Sequence, residues 1–598
     1  MGFTAARREA IGAVALATAG VGVRLWFGAR FPTEPISDFR GLVMFGLQLR
    51  DGGITAPSPY WTQFSVGLPL LLAGLFHAFP NHVTAVARIA TAGATGLVPL
   101  LPFALWRGAF PFRTRVLAGV FLSLWPGLVF YSNVPAQENW VLMPTVALAA
   151  LAARPLCDAE DCAHPLAAGL LYALAASIRQ EMLLVLAPAA IAAAGLPGRP
   201  WRRGSRALCL TAAAAIPLLA LAFERRAATG RFAITTEHGG VTVLGTFAPG
   251  SAAAGWTDPT LYIASVEPAL LRDNATRLRS AWTLARKEAL RRYRFHVFRS
   301  AVAALRLSVE SDAQSLFWTL EAPGVQADSR AADAAAWARA VRPVLRLELA
   351  LASGFFFAAL GRGVRRRDKA VLLIGGTALL RILVQVAFSP LGRLMVPTTA
   401  LELMTIALSI GGGVARHRRS AVGFAALGLA GAALLLAVEP PLDRLAIRKD
   451  EPPPTVLHFP LGIANGRGAI SSCSIESGRL TALSGNRASV GPLTASTSGT
   501  FRVVCRLPEA LPDGVLGLDL ERPEGRLVEA EVDGHAVTET SPLPESDWLR
   551  LYLPAASGPG TLVLRGSSDG RPCGFRLVLV RPTELPPSRP PGAAVRPR

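Results

Sequence analysis

Two acidic residues lie where apolar segments of the chain give way to polar sequence. Asp38 follows the apolar segment 9–28 in the run FPTEPISDFRG, and Glu138 follows the segment 116–131 in the run WPGLVFYSNVPAQENW. A carboxylate at such a position can take a proton from a hydroxyl or an amine, orient that group, or bind a divalent cation. Alternatively, Asp38 is an N-cap or loop charge for a helix at 39–49, and Glu138 is an acid that the dipole favours at a helix start.

Arginines provide candidate ligands for an anion. Arg381 lies inside an apolar segment, Arg393 lies just beyond its end in the run SPLGRLMVP, and Arg179 lies beside Glu181 at the end of another segment. Cations at these positions can bind an anionic substrate group and stabilise negative charge that develops on it. The alternatives are an interfacial Arg393 that extends toward water, a structural ion pair for Arg381, and a structural pair between Arg179 and Glu181.

Three further features are candidates for binding. The run TTEHGGVTVLGTFAPG places His238 before two glycines, which fits a loop that approaches a substrate and also an ordinary turn. Arg40, two residues after Asp38, is a further candidate for substrate binding. The run CDAEDCAH at 157–164 has the residue types of a metal site, but one pair of cysteines with four residues between them is a weak zinc pattern, and the run lies in a predicted cytoplasmic loop. The metal requirement therefore stays unknown.

The composition defines the class of protein. Of 598 residues, 51% are hydrophobic and 17% are charged, the mean hydropathy is +0.38, and the net charge is +20. Soluble domains carry about 25% charged residues, so these values exclude an ordinary soluble enzyme and a disordered chain. The positive charge does not indicate nucleic acid in so apolar a sequence, because arginine also marks the cytoplasmic loops of membrane proteins.

Twelve apolar segments before residue 438 are candidates for membrane spans. If all of them cross, each later cluster of arginines falls outside, against the positive-inside rule. If segment 63–79 lies in the outer interface instead, all four clusters fall in the cytoplasm. The sequence therefore predicts about eleven spans, with the N-terminus inside and the C-terminus outside. The segments are 9–28, 63–79, 84–105, 116–131, 139–153, 165–178, 182–196, 207–223, 344–361, 370–388, 395–413 and 420–438, and the clusters lie at 107–115, 199–206, 362–369 and 416–419.

The predicted topology divides the chain into three parts. Residues 1–440 form a transmembrane domain with two long external loops, 30–83 and 225–342. Residues 441–580 contain alternating runs such as FRVVCRL and TLVLRG, which predict strands and a β-sandwich-like domain. Residues 581–598 have the composition of a disordered tail. On the oxidising side of the membrane one disulfide can form among Cys473, Cys505 and Cys573.

These placements resemble the membrane-integral glycosyltransferases of the GT-C fold, which include protein O-mannosyltransferases, aminoarabinose transferases and oligosaccharyltransferase catalytic subunits. Three features carry the resemblance over residues 9–440: an acidic residue early in the first external loop, a Pro- and Gly-bearing apolar segment in that loop, and a second acidic residue just after the third span. The Arg393 turn resembles an arginine-bearing turn of several members, with Leu394 where they have an aromatic residue. Several relatives have an Asp-Glu pair where this chain has Asp38 alone. Whether the enzyme depends on a divalent cation therefore stays open.

The resemblance implies an enzyme that transfers a sugar from a polyprenyl phosphate to a glycan, lipid or protein acceptor at the periplasmic face of a bacterial inner membrane. Asp38 would be the base or the acid that orients the acceptor, and Glu138 an auxiliary acid. Arg393 and Arg381 would bind the phosphate. The sequence has no P-loop and no dinucleotide-binding glycine pattern, which favours a lipid-linked donor over a nucleotide sugar. The basic stretch 285–307 fits a helix at the lipid surface, with no nucleic-acid partner.

Two other classes of protein fit the same features. A non-catalytic transporter or flippase of lipid-linked glycans would use the same arginines and apolar grooves but needs no external carboxylate. A structural or assembly protein would act through the β-rich tail, because a β-sandwich alone does not imply sugar binding. Removal of the Asp38 charge stops only the enzyme. Arg381→Leu should affect a transporter more than Asp38→Asn does, and loss of function on removal of residues 455–598, with a silent Asp38→Asn, favours the structural protein.

Reporter fusions test the predicted topology. Fusions after Arg107 and after Arg365 should both report the cytoplasm, because the positive-inside rule keeps these arginine-rich loops inside. The measurement is the activity of a reporter that works on one side of the membrane only. A periplasmic signal from either fusion would contradict the interfacial position of segment 63–79.

Overall fold

The computed structural model describes the helical region and the strands of the tail. The chain forms two compact units, Met1–Gly239 with His296–Ala446, and Gly240–Phe295 with Ile447–Arg598. Several predictions lie outside the described residues: residues 186–196 of segment 182–196, the run at 157–162, the tail after 581, and the side chains of the three tail cysteines. The described residues are 3–55, 58, 60–153, 163–185, 200–236, 238–249, 251–254, 256, 259, 262–263, 274–322, 324–411, 418–450 and the strands between 455 and 581.

Helices form the first part of the chain. Long apolar helices alternate with short ones, and several begin after proline or end at glycine. Their bounds are α1 Phe3–Arg30, α2 Ser37–Gly52, α3 Tyr60–Gln63, α4 Gly67–Ala78, α5 Val83–Leu97, α6 Leu100–Leu105, α7 Phe112–Leu124, α8 Pro126–Tyr131, α9 Gln137–Ala153, α10 Ala163–Ile178, α11 Met182–Val185 and α12 Pro200–Thr229.

Helices continue to residue 449, with one π-helical and one 3-10 turn among them. The π-helical turn follows one long helix, and the 3-10 turn leads into another. The bounds are α13 Gly239–Phe247, α14 Ser251–Ala254, α15 Asn274–Arg291, α16 Tyr293–Leu316, the π-helix Phe317–Glu321, α17 Asp328–Arg366, α18 Lys369–Phe388, the 3-10 turn Gly392–Met395, α19 Val396–Gly411 and α20 Arg418–Lys449.

Among the described residues, seven helices are long and apolar enough to cross a membrane. These helices identify a multi-pass membrane protein. The seven match the predicted segments 9–28, 84–105, 207–223, 344–361, 370–388, 395–413 and 420–438.

The remaining predicted spans differ from these seven, so the count of eleven stays a prediction. Segment 116–131 is split between α7 and α8, because Trp125 precedes Pro126 and takes an extended conformation (φ −61°, ψ 117°). Segments 139–153 and 165–178 lie in helices of 17 and 16 residues. Segment 182–196 is described only as far as Val185.

The predicted interfacial segment 63–79 contains α4, which has twelve residues. At 1.5 Å per residue this helix is about 18 Å long, less than the roughly 30 Å of a bilayer core. Leu68, Leu72 and Phe76 are fully buried and share one face of the helix, in one apolar cluster with Leu42 of α2. The length of α4 supports a helix that stays on one side of the membrane.

The core of the first unit surrounds α19. In the span Gly392–Gly411, 89% of the most apolar stretch is buried. The helix packs against α7, α9, α17 and α18. The 3-10 turn that carries Arg393 leads directly into α19. The most enclosed helix of the described spans therefore begins at a candidate site residue, so the position of Arg393 is fixed by the packing of the whole core.

Glycines allow close crossing of two helix pairs. A Cβ atom at Gly20 of α1 would lie 2.3 Å from the carbonyl oxygen of Gly96 in α5. A Cβ atom at Gly354 of α17 would lie 2.3 Å from the carbonyl oxygen of Gly428 in α20. Small residues bring helix backbones together in membranes, where packing rather than the hydrophobic effect drives helix association.

The tail of the second unit has two six-stranded sheets. All strand pairs are antiparallel except the pair between the second and third strands. The strands are β1 Thr455–Phe459, β2 Leu461–Ile463, β3 Ser471–Ser477, β4 Leu480–Ala482, β5 Leu493–Ala495, β6 Ser498–Arg506, β7 Val515–Glu521, β8 Glu529–Val532, β9 His535–Val537, β10 Trp548–Tyr552, β11 Thr561–Asp569 and β12 Cys573–Arg581.

The strand order is defined by the register of the pairs. One sheet runs β10-β7-β12-β5-β4 with β1 also on β12, and the other runs β2-β3-β6-β11-β8-β9. The register of β3 and β6 places Cys473 opposite Cys505. The sandwich packing of the two sheets and the disulfide stay predictions.

Substitution of Gly20 tests the close crossing of α1 and α5. Gly20→Ala should lower the free energy of unfolding by about 1–3 kcal/mol, because the added methyl group meets a backbone oxygen that cannot move aside. Gly22→Ala in the same helix is the matched control, since nothing lies within 4 Å of a Cβ atom there. Thermal unfolding in detergent measures both, and an equal effect of the two substitutions would refute the crossing.

Candidate functional site

Asp38 lies in the first turn of α2, after a strained residue. The N-cap of α2 is Ile36, so the alternative role of Asp38 as the N-cap does not apply. Ser37 has φ 52°, in the left-handed region that costs a residue other than glycine about 1–3 kcal/mol. The loop before it is anchored, because the backbone N–H of Glu34 donates to the carbonyl of Val325 at 2.9 Å. The chain therefore enters α2 in a fixed direction.

Asn133 joins the start of the first loop to the loop after α8. Its side-chain amide donates to the carbonyl of Phe31, and its own carbonyl accepts a hydrogen bond of 2.6 Å from the Thr33 hydroxyl. The first of these loops leads to Asp38 and the second leads to Glu138. Local polar contacts thus bring together two chain segments that each carry a predicted acid.

Asp38 forms an ion pair with Arg393, which lies 355 positions away in the sequence. Nη2 of Arg393 is 2.6 Å from Oδ2 of Asp38, and the two side chains are 12% and 31% exposed. The guanidinium carbon lies 5.3 Å from the ring centre of Phe39 and 4.6 Å from that of Trp318. Nε and Nη1 of Arg393 are buried and have no hydrogen-bond partner among the described residues.

The turn that carries Arg393 is fixed by α16. The backbone N–H of Gly392 donates to Oε1 of Gln314 at 2.6 Å. A Cβ atom at Gly392 would lie 2.8 Å from Cα of Ser311, so no larger residue fits this contact. The position of Arg393 therefore depends on α16, and no sequence pattern connects that helix with this arginine.

The π-helix at the end of α16 presents Trp318 to Arg393. The side-chain amide of Gln326 donates to the carbonyl of Thr319 at 2.7 Å, which satisfies a backbone group of this turn. Trp318 also meets the Phe39 ring edge to face, with ring centres 5.6 Å apart. Short π-helical turns occur often at functional sites, and this one forms the aromatic wall behind the arginine.

Glu138, at the start of α9, belongs to a second charged group. Its Oε1 accepts a hydrogen bond from Nη1 of Arg179 at 2.5 Å, and its Oε2 lies 3.4 Å from the hydroxyl of Tyr131. Arg179 also pairs with Glu181 two residues later. Asn139 donates to the carbonyl of Tyr131 at 2.8 Å and so holds the loop that precedes α9.

The turn with Arg179 and Glu181 lies outside the seven spans and keeps its charges near neutral pH. Burial acts to raise the pKa of Glu181, but the attraction of Arg179 and Arg381 outweighs it and holds this pKa below its ordinary value. Burial acts to lower the pKa of Arg179, but Glu181 and Glu138 raise it above its ordinary value. Neither group therefore changes its charge around pH 7.

Arg381 links the two charged groups from within α18. It is fully buried, with Nη1 2.7 Å from Sδ of Met182 and Nη2 donating to the carbonyl of Leu394 at 3.0 Å. Met182 follows the turn with Arg179, and Leu394 follows Arg393. Nε of Arg381 has no partner among the described residues. These contacts give Arg381 a positioning role, and its role as a phosphate ligand stays a prediction.

His238 and Arg40 lie at the margin of the charged group. The backbone N–H and the hydroxyl of Thr236 donate to Oε1 of Gln180 at 2.6 and 3.1 Å, which joins the run with His238 to the turn with Arg179. His238 directly precedes α13 and is partly buried, and Arg40 is exposed on α2. The binding roles of both stay predictions.

These side chains form one electrostatic group. Tyr131 lies within electrostatic reach of Asp38, Glu138, Arg179 and Arg393, and Arg393 lies within reach of Glu138. Three arginines face three carboxylates, so the group is close to neutral overall. Its members are Asp38, Glu138, Glu181, Arg179, Arg381 and Arg393.

Sequence reasoning missed the aromatic residues of the site. Phe39 and Tyr131 lie in the same sequence runs as the two acids. Their nearness in sequence to Asp38 and Glu138 could have identified them as site residues. Nothing in the sequence marks Trp318, because its contact with Arg393 depends on the packing of α16.

The side chains described do not fit a divalent cation. In the part of the chain that the structure describes, no three His, Cys, Asp or Glu side chains lie close enough together to hold a metal ion. Asp38 and Glu138 each contact an arginine instead, and a cation bound to either would lie against a guanidinium group. We therefore assign no chemical step to a metal.

Comparison by structure finds similarity to the archaeal oligosaccharyltransferase AglB from Archaeoglobus fulgidus in complex with an inhibitory peptide and a dolichol-phosphate. The TM-score is 0.39 and the identity 15%, over 75% of this chain and 56% of that one. The oligosaccharyltransferase of Archaeoglobus fulgidus is also similar in its apo form (TM-score 0.37, 15% identity, 74% and 55% covered) and in its complex with Zn and sulfate (0.37, 15%, 73% and 52%).

The chain thus spans about half the length of the solved structures that it matches. No protein-family model matches the sequence, and no curated protein is significantly similar to it. Oligosaccharyltransferases are among the enzymes that the sequence pattern resembles.

Asp312 anchors α16 beside α8 and so supports the turn behind Arg393. Its Oδ2 accepts a hydrogen bond of 2.6 Å from Nε1 of Trp125, and a Cβ atom at Gly127 would lie 2.1 Å from its carboxyl carbon. Asp312 is buried, and Glu348 and Glu402 are within electrostatic reach of it. Burial raises the pKa of Asp312 to about 6, although the hydrogen bond from Trp125 lowers it.

Asp312→Asn should change how stability depends on pH. The folded protein holds the proton up to about pH 6, while the ordinary value is 3.8, so wild-type stability falls as the pH rises between these values. The free energy of unfolding of the variant should therefore rise relative to that of the wild type across this pH range, by up to about 3 kcal/mol. Thermal unfolding in detergent at several pH values measures the gain.

Asp51→Asn is the control for this measurement, because Asp51 is exposed and forms its ion pair with its neighbour Arg50. It should show no gain between pH 4 and pH 6. A flat difference between the Asp312 variant and the wild type would contradict the buried position of Asp312.

Proposed function

We propose that this protein is a membrane glycosyltransferase that moves a sugar from a polyprenyl phosphate to a hydroxyl or amine of a glycan, lipid or protein. The observation that carries the proposal is the contact of Asp38 with Arg393, a carboxylate beside an arginine whose Nε and Nη1 have no hydrogen-bond partner among the described residues. Transfer from a phosphate needs a base for the acceptor and a cation for the leaving group. Asp38 and Arg393 are the two groups of this kind.

The reaction follows from these two groups. Asp38 takes the proton of the acceptor O–H or N–H while the acceptor atom forms a bond to the anomeric carbon. The bond between that carbon and the phosphate oxygen breaks, its electron pair leaves with the polyprenyl phosphate, and the configuration at the carbon inverts. Arg393 donates to the phosphate oxygens through Nε and Nη1 and stabilises the charge that develops there.

The other charged residues keep this arrangement in place. Glu138 and Arg179 lie within electrostatic reach of Arg393 and keep the surrounding charge balanced. Tyr131, which contacts Glu138 and lies near Asp38, is placed to hold the acceptor beside the base. Arg381 holds the turn with Arg393 through the carbonyl of Leu394. His238, Arg179 and Arg40 are the further candidates for contact with the substrate.

We assign the site to the periplasmic face of a bacterial inner membrane. The distribution of arginines over the loops supports eleven spans with the N-terminus in the cytoplasm and residues 441–580 in the periplasm. Apolar helices beside the charged group provide a path for the polyprenyl chain within the bilayer. The β-rich tail would then bind a glycan or acceptor, or a partner protein.

A non-catalytic flippase for lipid-linked glycans is the second candidate. The full burial of Arg381 inside a span, with Nε unpaired among the described residues, favours it, because polar groups inside membranes often mark transport paths. Such a protein would depend on Arg381 and not on Asp38. The two candidates therefore differ in which substitution stops the process.

Asp38→Asn should abolish sugar transfer. The amide cannot accept the proton of the acceptor, and loss of a general base lowers rates by about 10²–10⁴-fold. The measurement is the release of polyprenyl phosphate when the purified protein is given polyprenyl-phosphate sugars and acceptors extracted from the source cells.

Asp51→Asn, on the same helix but exposed at its other end, is the matched control and should keep the wild-type rate. Full transfer by the Asp38 variant, at wild-type protein levels, would rule out the catalytic role. Loss of glycan translocation in Arg381→Leu, with no effect of Asp38→Asn, would favour the flippase.

A further inference from the structure

The two groups that the proposed reaction needs are in contact with each other. Nη2 of Arg393 lies 2.6 Å from Oδ2 of Asp38. A guanidinium stabilises the ionised form of a carboxylate that is paired with it. The paired carboxylate is therefore a poor proton acceptor. The same contact occupies an arginine that has to bind phosphate. The ion pair must therefore open before the acceptor can be deprotonated.

Of the two partners, Arg393 is the more firmly held. Its guanidinium lies over the rings of Phe39 and Trp318, and the residue before it is bound to Gln314. Its side chain is 12% exposed, against 31% for Asp38. No contact of Asp38 other than the one with Arg393 holds its carboxylate in the described structure. When the pair opens, Asp38 is the side chain that moves.

A phosphate is the ligand that can open this pair. Nε and Nη1 of Arg393 are buried and have no hydrogen-bond partner among the described residues, and unpaired buried donors are unfavourable, so a phosphate oxygen bound there would satisfy them. The bound phosphate would place a second negative charge beside Asp38. Like charges at such a distance repel strongly where water is scarce, so the carboxylate is driven away from the arginine.

We propose that the Asp38–Arg393 ion pair is a latch that the phosphate of the donor opens, so that Asp38 becomes a base only after the donor is bound. The proposal rests on the proposed function and adds to it an order of binding, donor first and acceptor second. Without donor, Asp38 stays paired and cannot activate an acceptor or water. The latch thus ties the base to the presence of the phosphate that leaves.

The latch makes Asp38 a competitor of the donor for Arg393, and this has a measurable consequence. Asp38→Asn should bind undecaprenyl phosphate at least about tenfold more tightly than the wild type, although it is inactive in transfer. Asp38→Ala should do the same, which guards against an effect peculiar to the amide. Binding is measured with the purified full-length protein in nanodiscs, and thermal unfolding shows that each variant is folded.

Two further variants locate the effect. Asp51→Asn should bind undecaprenyl phosphate as the wild type does, because its charge is exposed at the far end of α2. Arg393→Gln should bind it more weakly, and in the Arg393→Gln background the gain from Asp38→Asn should vanish, since the competition is for this arginine.

The outcomes separate the latch from the proposed function. Equal or weaker binding by both Asp38 variants, a gain that persists without Arg393, or no binding by the wild type and the Asp38 variants alike overturns the latch. If the Asp38 variants bind more tightly but transfer at the full rate, the competition for Arg393 stands and the proposed base is wrong. If they are inactive and bind as the wild type does, the base stands and the latch is wrong.

Discussion

The constraint that governs this protein is the compensation of charge at the ends of apolar helices. Asp38, Glu138 and Glu181 lie among buried side chains, and each contacts an arginine. An isolated charge in such surroundings is strongly unfavourable, and breaking a buried pair costs about 3–5 kcal/mol. Distant helices must therefore meet at this point, and the packing of α2, α9, α18 and α19 follows from that requirement.

Specific backbone features make the meeting of these helices possible. Pro126 ends α7 early. Ser37 takes a left-handed conformation at the start of α2, the helix that carries Asp38. Gly392 allows the turn with Arg393 to contact α16. Each is locally unfavourable or restrictive, and each lies next to a charged or aromatic residue of the site. Sites that depart from local preference in this way are often functional, because the surrounding structure has to hold them there.

The two units contribute differently to this picture. All members of the charged group belong to the first unit, Met1–Gly239 with His296–Ala446. The second unit has two sheets whose strands were expected from alternating apolar runs. A period of two residues predicts strands well, but it does not tell how two sheets pack or what surface they present. The chemistry proposed for this protein accordingly rests on the helical unit alone.

The sequence by itself determined the membrane class, the positions of seven apolar helices, and the acids and arginines worth suspecting, because hydropathy and charge are local properties of a segment. It did not determine which acid meets which arginine. Asp38 and Arg393 are 355 positions apart, and Trp318 reaches that arginine only through the π-helix at the end of α16. Such contacts depend on how helices pack side by side, and no local pattern of residues encodes that packing.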